Sequence, residues 1–138
     1  MIKEIRERRK AMNPEHEMLK GNTPTLVLAV LQTGPRHGYA VAREIERRTE
    51  NSLRCKEGTL YPTLHTLQKE GLIIGEWQKE AGGRDRKIYS ITPAGTAALE
   101  QGRRTWNVFA TAVGRILGEH DDERSLGSTN ELAPNASR

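Results

Sequence analysis

Between Glu57 and Gly71 the chain reads EGTLYPTLHTLQKEG, and within it the leucines part from the polar groups at helical spacing. Leu60, Leu64 and Leu67 stand at i, i+4 and i+7, one narrow arc of a helix. Thr59, Tyr61, Pro62, His65, Thr66 and Lys69 fall outside that arc. Hydroxyl, phenol, imidazole and ammonium groups on an exposed helix can hydrogen-bond base edges and phosphates; short polar or planar groups suit the bases and cations the backbone. Tyr61 can also pack on a sugar or a thymine methyl, and Lys56 adds a cation at the entrance to the stretch. A second basic set follows in KEAGGRDRKIY, where Arg84, Arg86 and Lys87 stand beside Gly82 and Gly83 on a flexible tip suited to a nucleic-acid backbone or minor groove.

Other chemistries find little footing. No nucleophile, base and orienting group share a recognisable spacing, and no glycine-rich phosphate loop is present, so an enzyme is not expected. His16, His37, His65 and His120 are scattered without a His or Cys pair at ligand spacing, so neither a metal nor a cofactor is expected. His37 is read as a capping or packing residue. The single cysteine, Cys55, excludes an internal disulfide and reads as a small packing residue.

Punctuation along the chain shows which elements would position these groups. Thr23-Pro24 opens a helix with a cap and a first-turn proline, and Gly34-Pro35 closes the run TLVLAVLQ. From Gly38 to about Thr49, Val41 and Ile45 lie one turn apart among arginines and glutamates, an amphipathic second helix. Pro62 fixes the start of the third helix just upstream, near Glu57 to Thr59, since a proline near the first turn costs no hydrogen bond. LIIGEWQ and KIYSIT, rich in Ile, Trp and Tyr around a glycine-bearing turn, predict a two-stranded hairpin. Thr92-Pro93 opens a last helix to about Leu117, in which Leu99, Gly102, Trp106, Phe109, Val113 and Ile116 alternate at three and four residues, the seam of a helix that packs on another helix.

The chain has 138 residues and a net charge of +4, with 22 Lys and Arg against 18 Asp and Glu. That length suits one domain with appendages, and the basic excess favours a polyanionic partner. The longest strictly apolar run, Leu26 to Leu31, is too short to cross a bilayer, and MIKEIRERRK is not a secretory signal, so a cytoplasmic location is expected. Residues 1–18 read as a charged arm. Residues 118–138, polar and poor in apolar side chains, read as a disordered tail.

Helices followed by a hairpin, with the third helix bearing the polar face, form a mainly α fold with a β-hairpin wing, a winged helix-turn-helix. HGYAVAREIE, EGTLYPTLHTLQKEGLI and GGRDRKIYSITPAG closely resemble the DNA-binding domain of the PadR family of bacterial transcriptional regulators, over about residues 19–117. Asp85 stands where that family usually has proline, which adds a negative charge to the wing tip. The resemblance implies a DNA-binding domain over residues 19–92 and a single C-terminal dimerisation helix over 93–117, as in short-form members. It implies a homodimer, held through Leu99, Trp106, Phe109, Val113 and Ile116, that binds a double-stranded DNA operator as an inverted repeat and usually represses. Trp106 is also the expected contact for a small aromatic effector, as in some short-form relatives. A winged-helix module for protein or RNA interaction, without operator specificity, remains the alternative.

Overall fold

The computed structural model describes Leu19, residues 21–79 and residues 82–119. The arm expected over residues 1–18, the tail beyond Glu119, His16 and His120 lie outside the described residues. Helices α1 (Thr23–Gln32), α2 (Gly38–Arg48) and α3 (Glu57–Lys69) precede the strands β2 (Ile73–Lys79) and β3 (Asp85–Ile91) and the long helix α4 (Pro93–Leu117). A short strand β1 (Arg36–His37), between α1 and α2, pairs antiparallel with β3, so the expected two-stranded wing is a three-stranded sheet of order β1-β3-β2. A two-residue strand has no periodicity to detect, and only its pairing with β3 reveals it.

The helices bury the faces that their spacing predicts. Val27, Leu28, Val30 and Leu31 of α1, Val41 and Ile45 of α2, and Leu60, Leu64 and Leu67 of α3 form one core with Ile73 and Tyr89 of the sheet. Burying each such leucine contributes about 1.5–3 kcal/mol. Cys55 belongs to this core, and burial, with Glu46 nearby, raises its thiol pKa, as befits a packing residue.

At three helix starts the capping or hydrogen bonding differs in detail from the sequence reading. Asn22, not Thr23, is the N-cap of α1; Thr23 is buried and its hydroxyl donates to the Leu19 carbonyl at 2.8 Å. His37 is the N-cap residue of α2 but makes no side-chain cap. Helix α3 starts at Glu57, within the range expected just upstream of Pro62, but Pro62 stands past the turn whose amides lack an internal acceptor. The first turn closes on Lys56, whose carbonyl accepts from the Thr59 and Leu60 amides at 2.9 and 2.8 Å, and Pro62 lies inside the helix. The missing amide removes the helical donor for the Gly58 carbonyl, on a turn where Gly58 and Pro62 are both exposed and water can replace it. The cap at Thr92 is as expected: its hydroxyl accepts from the Gly95 amide at 3.0 Å and donates to the Gly71 carbonyl at 2.8 Å.

Helix α4 spans two compact units, one up to Glu100 and one from Gln101 onward. Its first turns, through Glu100, belong to the first unit. Leu99, expected at the dimer interface, is instead 1% exposed in the core. Gly95 explains how the helix comes so close: a Cβ there would stand 2.1 Å from the Leu72 carbonyl oxygen and 2.7 Å from Ile91 Cγ1. Backbone cannot yield as a side chain can. Gly95→Ala is therefore expected to lower the stability of the folded chain by about 2–3 kcal/mol through overpacking, read from the urea midpoint. A midpoint unchanged from the parent would contradict this packing.

Candidate nucleic-acid interface

The leucine stripe turns the opposite side of α3 outward. Tyr61, Pro62, His65, Thr66 and Lys69 are exposed, with Lys56 exposed at the helix entrance and Thr59 half-buried. Tyr61 is held on one side by Gly38, where a Cβ would lie 3.1 Å from Tyr61 Cε1 and 3.1 Å from Leu64 Cδ1. The start of α2 and the second turn of α3 thus meet through a missing side chain, and Tyr61 remains 43% exposed beyond that contact.

The wing approaches this face at Tyr61. Its ladder pairs Trp77 with Lys87 and Gln78 with Arg86. Arg84 is exposed, whereas Arg86 and Lys87 are half-buried. The Lys87 ammonium lies 5.6 Å from the Trp77 ring centre and 5.7 Å from that of Tyr89, so part of its charge is engaged by aromatic faces. A β2 glycine makes room for its stem: a Cβ at Gly75 would stand 2.6 Å from Lys87 Cε.

Between the wing, the start of α2 and Tyr61 of α3 is an open cavity of about 420 Å³. Of the residues expected to contact DNA, it gathers Tyr61, Arg86 and Lys87; Thr59, Pro62, His65, Lys69, Lys56 and Arg84 do not line it. Its remaining lining is His37, Gly38, Tyr39, Trp77, Asp85 and Tyr89. Desolvation, and Tyr61 nearby, raise the Tyr89 phenol pKa. His37 Nδ1 is buried and has no hydrogen-bond partner among the described residues. Tyr39 was not legible as a site residue by periodicity, because it falls on the first turn of α2 away from Val41 and Ile45; only its place after His37-Gly38 marks it.

On the exposed side of α2, Arg43 stacks over the Tyr39 ring at 5.2 Å and donates to its hydroxyl. Glu44 engages the other arginines, accepting from Arg47 and Arg48 at 2.7 Å each, with Arg36 at 4.0 Å. Arg48 also donates to the Thr33 hydroxyl at 2.7 Å, joining α2 to the end of α1. The hydrogen bonds from Arg47 and Arg48 hold the Glu44 carboxyl well below its ordinary range, at about 2.

In the second unit Trp106, Phe109 and Ile116 are 42%, 57% and 86% exposed, and Val113 is half-buried. The Trp106 and Phe109 rings lie 6.2 Å apart at 43°. Among the described residues no group of His, Cys, Asp and Glu could hold a metal ion, and no helix is long and apolar enough to cross a membrane.

A family model described as the transcriptional regulator PadR-like family matches residues 27–101. The transcriptional regulator Rv3488 of Mycobacterium tuberculosis is 43% identical over 77 residues, 56% of this chain and 68% of that protein. Among solved structures, a transcriptional regulator from Clostridium thermocellum is similar with a TM-score of 0.67 and 27% identity, over 72% of this chain and 96% of that one. A PadR family transcriptional regulator from Eggerthella lenta has a TM-score of 0.65 and 30% identity, over 76% of this chain and 88% of that one.

Because the Glu44 carboxyl is easier to ionise in the folded chain than in the unfolded one, its contribution to stability is fully present above about pH 4.5 and is lost as the pH falls towards about 2. Glu44→Gln is expected to lower the melting temperature at neutral pH and to flatten the acid limb of the stability profile over that window. An acid limb identical to the parent's would show that Glu44 does not hold the three arginines in solution.

Proposed function

This chain belongs to the PadR-like family of transcriptional regulators, and on that premise we propose that it is a repressor that binds an inverted-repeat operator as a homodimer. The observation that carries the DNA reading is the partition of α3: Leu60, Leu64 and Leu67 are at most 3% exposed, while Tyr61, His65, Thr66 and Lys69 are exposed and Tyr61 shares a cavity with the wing. A helix so divided enters a major groove with its polar side, and its N-terminal half carries the groups that meet base edges. In this reading Thr59, Tyr61, Pro62 and His65 lie nearest the bases and sugars. Lys56, Lys69, Arg84, Arg86 and Lys87 meet phosphates, Lys87 with its charge shared with two rings.

The homodimer reading is supported by the apolar face of Trp106, Phe109, Val113 and Ile116. That seam is too short for a stable isolated coiled coil, so it acts together with other contacts of the two protomers. Two-fold symmetry then sets the half-sites about one helical turn apart, or a multiple of it. An apolar planar effector, lodged beside Trp106 between protomers, would change the spacing of the two α3 helices and release the operator. Such a regulator acts in the cytoplasm, where the DNA is. The domain plan is a DNA-binding body over residues 19–92, the dimerisation helix over 93–117, and an arm and a tail over 1–18 and 118–138.

Titration against operator and random duplexes at several salt concentrations separates the roles. Arg86→Ala and Lys69→Ala are expected to weaken both duplexes alike and to reduce the salt slope by about one contact each. His65→Ala is expected to cost about 1–3 kcal/mol on the operator and much less on random DNA. If His65→Ala instead loses equally on both, with the salt slope falling as for Arg86→Ala, α3 does not read sequence.

The assembly has its own test. Phe109→Asp would bury a charge between protomers, so the dimer and operator binding should be lost together. A variant that still sediments as a dimer would refute this interface.

A further inference from the structure

The cavity that the wing shares with the start of α2 and with Tyr61 of α3 has a lining unlike an ordinary basic surface. Tyr39, Tyr61 and Trp77 are exposed by 51%, 43% and 68%, and all three line it. Arg86 and Lys87 supply positive charge at its wing side, and Asp85 opposes them with a carboxylate. Exposed rings cost solvation, and a monomeric surface rarely gathers them without a partner. The Tyr39 hydroxyl accepts from Arg43, so its own O–H remains a donor beside a fixed guanidinium, a pairing suited to an anionic oxygen.

The position of the cavity indicates its occupant, and the argument rests on the DNA reading given above. A helix in a major groove and a wing in the adjoining minor groove lie on either side of one sugar–phosphate strand. That strand must pass between α3 and the wing. We infer that the cavity seats this strand, with the Trp77 ring against deoxyribose, the Tyr39 hydroxyl on a phosphate oxygen, and Asp85 as a repulsive group that holds down affinity for DNA of any sequence. Tyr39 and Trp77 are then positioning contacts, and none of the three reads a base.

Backbone contacts are independent of sequence, so a short mixed-sequence duplex is a sufficient probe for the full-length chain. Asp85→Asn is expected to bind it about fivefold tighter, the factor carried by one unit-charge repulsion at contact distance in water. A gain cannot arise from misfolding, and Glu100→Gln, which removes an exposed carboxylate from α4, is the control for net charge. Tyr39→Phe and Trp77→Ala are each expected to bind about tenfold more weakly, and Trp77→Phe to recover most of its loss. The inference is overturned if Asp85→Asn gains no more than Glu100→Gln while Tyr39→Phe and Trp77→Ala bind as the parent does. Lys69→Ala in the same titrations tells the two failures apart. If it still weakens binding, the α3 reading stands and only the occupant of the cavity is wrong; if it too is silent, both fall.

Discussion

The rotation of α3 about its own axis governs most of what this chain can do, and the burial of Leu60, Leu64 and Leu67 sets it. With all three at most 3% exposed, no other rotation keeps the stripe out of water, and the polar side must face outward. Gly38 extends the constraint to the neighbouring helix. Its lack of a Cβ lets Tyr61 and Leu64 approach the start of α2, so α2 and α3 are locked together where the exposed face begins. Pro62, next to Tyr61, is tolerated because the carbonyl it leaves without a donor sits on that exposed side.

The wing is held to the same body by its middle strand. β3 pairs with β2 along its length and with β1 at Arg36–Tyr89 and His37–Ile88, so the segment leading into α2 and the hairpin share one sheet. Tyr89 is buried at the centre of this arrangement, and Lys87 folds back over Trp77 and Tyr89. A charge stacked on rings is placed more narrowly than a free lysine. The wing's basic groups therefore work as a shaped surface, with Asp85 built into it.

Helix α4 divides its apolar residues between two tasks. Gly95 and Leu99 close the body against Leu72 and Ile91, whereas Trp106, Phe109 and Ile116 stay exposed further along. A periodic seam in sequence carries no mark of where one task ends and the other begins, because both use the same spacing. Glu44 illustrates the same economy of charge on α2: it holds Arg36, Arg47 and Arg48 to the fold and leaves Arg43 with Tyr39 on the open face.

By itself the sequence determined the helices, the hairpin and the outward face of α3, because hydrophobic period and Gly/Pro punctuation are local properties that a chain carries before it folds. The wing cations and the apolar residues of α4 were legible for the same reason. Tertiary structure alone decided what depends on approach between distant segments. It paired Arg36 and His37 with β3, gave Leu99 to the core, drew Tyr39, Tyr61 and Trp77 around one cavity, and joined Arg48 to Thr33. Each of these is a contact between residues far apart in the chain or a choice among equivalent apolar positions. Such contacts leave no period behind, since they are set by which surfaces must be buried together once the core closes.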